Sequence, residues 1–106
     1  MRLRQAVLVL PLAFSLPMQA SSAEQRARGA AVFESSGCRH CHSIRNSGGH
    51  RGPDLSGVGR TAKKAAMRKQ IVDGSQAMPS FGDVLEPHEI DDLIAYLRSC
   101  RDKPKR

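Results

Sequence analysis

The chain has 106 residues, with 17 lysines and arginines against 10 acidic residues and a formal charge of +7. This length suits one domain of ordinary size. The basic residues do not form runs interleaved with aromatic side chains, so the excess charge does not indicate a nucleic-acid partner, and we expect none.

Residues 1–23 have the pattern of a secretory signal peptide. Arg2 and Arg4 precede an apolar stretch over residues 6–16, and small residues follow it. The stretch is too short to span a bilayer, although a retained N-terminal anchor is the alternative. We therefore expect an exported protein, in the periplasm or otherwise outside the cytoplasm, with no membrane span after the leader is cleaved.

Cleavage after Ala20 and cleavage after Ala23 both fit the pattern, and we take residues 24–106 as one mature domain. That domain has 15 basic and 10 acidic residues, a formal charge of +5. A charge of this size favours docking on acidic partner surfaces, at a rate that falls as salt is added. With 83 residues and few aromatic side chains, the domain needs more than a small apolar core for stability.

Helical spacing predicts an all-α domain of three to four short helices with long loops. A first helix is expected over residues 24–35, with Gly29 at a close crossing flanked by Phe33 and Tyr96. A second is expected over residues 61–72, with its inward side chains Ala62, Ala65, Ala66 and Ile71. A last helix begins at Pro87, and its apolar stripe is Ile90, Leu93, Ile94 and Leu97.

Cys38-Arg39-His40-Cys41-His42 is a Cys-x-x-Cys-His run, the spacing at which c-type haem is attached. The two thiols can each add to one vinyl group of a porphyrin, and His42 then lies under the iron. One alternative is a redox dithiol, and another is half of a zinc site, with His40, His42 or His50 completing the ligand set. The dithiol interpretation lacks a strand-helix-strand pattern, and the zinc interpretation lacks a second ligand pair because Cys100 is the one other thiol.

The opposite face of such an iron decides its chemistry, and Met78 is the strongest candidate ligand. It precedes Pro79 in a predicted loop, 36 positions after His42, which is far enough for the chain to pass around a porphyrin. Simple packing of Met78 is the alternative, and the other candidate ligands are His40, His50 and His88. Met67 lies within a predicted helix, where packing is its expected role.

The second ring nitrogen of His42 also needs an acceptor that fixes the ring plane and tautomer. A backbone carbonyl near Pro53 can accept that N–H, and Leu55 is placed to cover the porphyrin edge. An ordinary Gly-Pro turn at residues 52–53 is the alternative.

The order of these motifs along residues 24–106 resembles the short bacterial form of class I cytochrome c. The segments that carry the resemblance are residues 29–33, 38–42, 52–60, 78–81 and 93–97. The chain departs from larger members of that family in having no tryptophan. Cys100 lies outside the family pattern, and we expect an unpaired thiol there, with a cross-link between two copies as the alternative.

The resemblance implies a periplasmic, monomeric one-electron carrier with one covalent haem c, acting between a dehydrogenase or membrane complex and an oxidase or reductase. The residue roles that it implies are thioether bonds from Cys38 and Cys41, axial ligation by His42 and Met78, a hydrogen bond to the Pro53 carbonyl, and Arg60 near a propionate. It implies no catalytic residue. The competing hypothesis is a haem enzyme or gas sensor with an open or labile distal site.

Overall fold

The computed structural model describes residues 2–14 and 22–105. This part of the chain contains four α-helices, one 3-10 turn and one two-stranded hairpin. In chain order they are α1 (Ser22–Ser35), the 3-10 turn (Cys38–His40), β1 (Ser43–Ile44), β2 (Ser47–Gly48), α2 (Val58–Thr61), α3 (Lys64–Asp73) and α4 (Pro87–Ser99). The predicted helical fold is confirmed. Over the same residues, no helix combines the length and hydropathy needed to cross a bilayer.

Helices α1 and α4 cross at Gly29, as the sequence predicts. A Cβ atom at this position would collide with the carbonyl oxygen of Asp92 and lie 2.7 Å from the Cβ of Tyr96. The rings of Phe33 and Tyr96 meet edge to face beside the crossing, with centroids 5.8 Å apart. Arg28 Nε lies 3.1 Å from Asp92 Oδ2, so the one buried carboxylate at this crossing has a cationic partner. Glycine is therefore required here by the close approach of two helices.

Helix α4 has the expected start and the expected buried face. Pro87 occupies its first turn, and the side chains of Glu86 and Glu89 form a reciprocal capping box. The predicted stripe is buried throughout, and its members are Ile90, Leu93, Ile94 and Leu97. These side chains form the centre of the core with Phe33 and Val32 of α1.

The predicted helix over residues 61–72 is wrong in its continuity and in part of its buried face. Ala62 and Lys63 are extended, with ψ angles of 137° and 150°, and they separate α2 from α3. Ala65 and Ala66 are exposed, whereas Met67 and Ile71 are buried. The extended break changes which face of α3 points to the core, so Met67 and Ile71, four residues apart, face it in place of the smaller alanines. Packing is thus the observed role of Met67.

The hairpin β1–β2 was not predicted from the sequence. Ser43 pairs with Gly48 and Ile44 with Ser47, and the turn residues Arg45 and Asn46 have φ angles of 52° and 67°. Two-residue strands are too short to show an alternating pattern, and a left-handed arginine is an unusual turn residue. The hairpin places the chain immediately after His42 against the rest of the domain.

Candidate functional site

A narrow apolar cleft brings His42 and Met78 together. Its walls come from α1, the 3-10 turn, α3, α4 and the three connecting segments that carry His42, Leu55 and Met78. The lining side chains are Phe33, Cys38, His42, Leu55, Ile71, Met78, Phe81, Leu93 and Leu97. Residues that are far apart in the sequence therefore share one cavity, and apart from the thiol, imidazole and thioether, every lining group is a hydrocarbon side chain.

The imidazole of His42 is oriented by the segment that includes Pro53. Its Nδ1 lies 2.8 Å from the carbonyl oxygen of Pro53, which can only accept a hydrogen bond. Nδ1 therefore carries the proton, and Nε2 retains a lone pair for a metal ion. The ring lies directly on Gly52, where a Cβ atom would be 2.5 Å from His42 Cε1.

Backbone hydrogen bonds on both sides of this contact hold the two segments in register. The amide of Gly52 donates to the carbonyl of Cys41 at 2.7 Å, and the amide of Leu55 donates to the carbonyl of Ser43 at 2.8 Å. The His42–Pro53 hydrogen bond lies between them in the sequence. The ring orientation is thus fixed by a short series of parallel contacts rather than by one bond.

The two cysteines of the motif are half-buried and lie at either end of the 3-10 turn. Gly37 precedes this turn with a left-handed φ of 75°, and the amide of His42 donates to the carbonyl of Cys38 at 2.9 Å. Burial raises the pKa of the Cys38 thiol above its ordinary value. Within the described residues neither cysteine forms a disulfide, and Cys38 lines the cleft beside His42.

Arg39 fastens the same turn to its neighbours. Its guanidinium pairs with Glu34 of α1, donates to the carbonyl of Ser47 at 2.8 Å, and lies 5.3 Å from the centre of the Phe33 ring. The hydrogen bond from Arg39 holds the pKa of Glu34 below its ordinary value. The two residues between the cysteines therefore differ in role, because Arg39 holds the turn against its neighbours, whereas His40 is exposed.

Met78 reaches the cleft from a loop that is fixed to α3. Its carbonyl accepts a hydrogen bond from the amide of Ser75 at 2.9 Å, and Gln70 Nε2 donates to Met78 Sδ at 3.4 Å. Farther along the loop, the amide of Phe81 donates to the carbonyl of Ile71 at 2.9 Å. The contact from Gln70 was missed at the sequence level, where nothing distinguishes this glutamine from an ordinary surface residue of α3.

The remaining candidate residues are distributed as follows. Leu55 lines the cleft, whereas Arg60 is exposed and lines a second, larger groove that shares Leu55 with the cleft. His50 and His88 are exposed and do not line the cleft. Cys100 is buried at the end of α4, with its Sγ 3.5 Å from the carbonyl oxygen of Tyr96.

The donor atoms at the cleft fit a haem group better than a zinc ion. Residues 2–14 and 22–105 contain no group of three or more histidine, cysteine or acidic side chains that could hold a metal ion. The cleft instead offers thiol, imidazole and thioether groups within hydrocarbon walls. Imidazole and methionine sulfur are the axial ligand types of c-type cytochromes, and an apolar surround controls the potential of such an iron.

Comparisons with known proteins agree with this chemistry. Residues 24–97 match the family model described as cytochrome c oxidase, cbb3-type, subunit III. The chain is 30% identical over 107 residues to cytochrome c6 of Nostoc sp. (strain PCC 7120 / SAG 25.82 / UTEX 2576), an alignment that covers 91% of this chain and 86% of that protein. No solved structure gave a significant match. The chain therefore belongs to this cytochrome c family, as a small monohaem class I cytochrome c with covalently bound haem c that transfers electrons and is not an enzyme.

Proposed function

We propose that the protein is an exported one-electron carrier with His/Met axial ligation. In this proposal Cys38 and Cys41 form the two thioether bonds, and His42 and Met78 bind the iron from opposite faces. The observation that carries the proposal is the shared cleft, because His42 and Met78 line the same cavity and Nε2 of His42 is free to bind a metal ion.

When bound, haem c supplies the one-electron chemistry at its iron. The Pro53 carbonyl holds the His42 ring and its tautomer, so the imidazole does not reorient between oxidation states. Met78 offers a soft sulfur donor that favours the ferrous state. The hydrocarbon walls exclude water, and this exclusion disfavours the additional charge of the ferric state. Both effects raise the reduction potential relative to an exposed bis-histidine site.

Two further residues act at the porphyrin edge in this proposal. Leu55 covers that edge from the cleft wall. Arg60 binds a propionate; the support for this role is its place in the groove that adjoins the cleft through Leu55. Its exposed guanidinium leaves it available to an anionic group at that margin.

We also propose export and a single mature domain, residues 24–106, released from the leader at residues 1–23. Of the two candidate cleavage sites, Ala20 lies outside the described residues, and Ala23 lies in the first turn of α1. Cleavage after Ala23 therefore removes two residues from the described helix.

The docking surface for redox partners is proposed on the exposed side of α3. Arg68 pairs with Asp91 and Lys69 pairs with Asp73, which partly neutralises that face. Lys63 and Lys64 at the start of α3 are the exposed cations that remain for an acidic partner surface. We expect the monomer to exchange electrons between a dehydrogenase or membrane complex and an oxidase or reductase.

Ligand binding to the purified holoprotein tests the axial assignment. Carbon monoxide should not bind readily to the reduced parent protein, whereas Met78→Ala should bind it at once because one axial position becomes open. Met67→Leu is the matched control, since Met67 is a buried core methionine outside the cleft lining. Immediate binding by the parent protein would favour the gas sensor with an open distal site and would overturn the proposed ligation.

A further inference from the structure

The three residues after α4 fold back across the loop that carries Pro53, and we call residues 100–102 the C-terminal strap. The amide of Gly59 donates to the carbonyl of Cys100 at 2.8 Å, and the guanidinium of Arg101 donates to the carbonyl of Gly59 at 2.5 Å. The amide of Asp102 donates to the carbonyl of Ser56 at 2.9 Å. Three hydrogen bonds therefore join the strap to residues 56–59.

The strap also reaches the segment that follows His42. The carboxylate of Asp102 pairs with Arg45, with Oδ2 3.1 Å from Nε. The backbone amide of Arg45 donates to Ser56 Oγ at 2.7 Å. Arg45 lies three residues after His42, and Ser56 lies three residues after Pro53. Asp102 thus contacts both of the segments that the His42–Pro53 hydrogen bond joins.

These contacts complete an ordered series. From the cysteine motif outward, the two segments are joined at Cys41–Gly52, His42–Pro53, Ser43–Leu55 and Arg45–Ser56, and the strap covers the last pair. The first three contacts are made by residues of the cysteine motif and the start of the hairpin. The fourth contact is made by the half-buried Ser56, whose hydroxyl also donates to Asp54 Oδ1 at 2.5 Å.

We propose that the C-terminal strap is a positioning element for His42. By closing the outer end of this series, the strap keeps the Pro53 carbonyl at hydrogen-bond distance from Nδ1 and so keeps the imidazole plane fixed. Asp102 is a positioning residue here, because it touches neither the imidazole nor the cleft. The inference rests on the proposed function in one respect, which is that His42 ligates the iron.

The strap is formed by residues that the family pattern in this sequence does not include. The motif segments of the chain end at residue 97, and the family match also ends there. The strap begins only at residue 100, after the last turn of α4. The strap therefore lies beyond the residues that the family model matches.

A substitution at Gly57 can displace the strap while every residue of the strap is kept. A Cβ atom at Gly57 would lie 2.6 Å from the carbonyl oxygen of Asp102, and the next nearest atom is also in Asp102, at 3.8 Å. The φ of Gly57 is −115°, which alanine adopts without left-handed strain. Gly57→Ala should therefore push Asp102 away from Ser56 and leave the rest of the loop in place.

The experiment compares the parent holoprotein with Gly57→Ala and with a chain ended after Cys100. A chain ended after Asp102 is the matched control, because it keeps the whole strap and removes only residues 103–106. In each reduced, uniformly ¹⁵N-labelled holoprotein, NMR measures solvent exchange of the His42 Nδ1 proton and of the Ile94 amide. Ile94 is buried at the centre of α4, so its exchange reports general destabilisation.

The ratio of the two exchange rates, His42 Nδ1 to Ile94, is the readout. Loss of one hydrogen bond to the strap should raise this ratio about fivefold in Gly57→Ala, and loss of several should raise it more in the chain ended after Cys100. The control should keep the parent ratio. An unchanged ratio in both variants would overturn the proposal, even if both proteins were less stable.

The same spectra separate this inference from the proposed function. If His42 binds the iron, the porphyrin ring current shifts the NMR signals of its ring protons strongly away from their usual positions in the parent protein. If the parent spectrum lacks that displacement, the proposed ligation fails, and the positioning role fails with it. If the displacement is present and the ratio does not change, only the positioning role is wrong.

Discussion

The hydrogen bond from Gln70 to Met78 should raise the reduction potential, and Gln70→Leu should lower it. Gln70 Nε2 lies 3.4 Å from Met78 Sδ, and the positive end of its N–H dipole points at the sulfur. This dipole disfavours the additional charge of the ferric state. Because the side chain of Gln70 is exposed, its replacement changes the burial of the cleft little.

The size of the effect follows from the energy of one neutral hydrogen bond, about 1 kcal/mol. For a one-electron couple, a tenfold change in equilibrium is 59 mV or about 1.4 kcal/mol, so we expect a fall of about 40 mV. Spectroelectrochemical titration measures it. Gln25→Leu on α1 makes the same chemical change on a helix that does not hold Met78, and it should leave the potential unchanged. A potential that is unchanged or higher in Gln70→Leu would refute the reasoning.

Three further predictions concern packing, thiol chemistry and docking. Gly29→Ala should destabilise the protein by about 1 to 3 kcal/mol in chemical denaturation, because the collision with the α4 backbone outweighs the gain of about 1 kcal/mol in helix propensity. Stability equal to or above that of the parent would contradict the close crossing. Cys100 should resist alkylation at pH 8 in the native holoprotein, since burial raises its pKa and lowers the thiolate fraction. After denaturation, mass spectrometry should find one alkylated thiol, whereas three would contradict thioether attachment. Exchange of Lys63 and Lys64 for glutamate should slow electron transfer to an acidic partner most at low salt, and an equal rate at all salt concentrations would contradict the docking surface.

Helices α1 and α4 and their crossing were predictable because local rules determine them. The stripe of α4 repeats every three or four residues, Pro87 marks its start, and a helical glycine such as Gly29 indicates a close neighbour. The shared cleft was also foreseeable in outline, since the cysteine motif and Met78 each have few alternative roles. These features depend on residue type and spacing along one segment.

The features that sequence reasoning missed depend on contacts between distant segments. The break before α3 follows α2, whose Gly59 is hydrogen-bonded to Cys100 after α4, so the phase of Met67 and Ile71 is a tertiary effect. The hydrogen bond from Gln70 requires the Met78 loop to fold back onto α3. The C-terminal strap likewise looks, in sequence, like a charged and solvated chain end.

The central claim is that the iron is held between His42 and Met78 in one cleft, and a crystal structure of the purified holoprotein tests it most directly. We predict an iron bound by Nε2 of His42 on one face and by Sδ of Met78 on the other, with thioether bonds to Cys38 and Cys41. Electron density for water or another histidine in place of Met78, or for haem outside the cleft that His42 and Met78 line, would contradict the account.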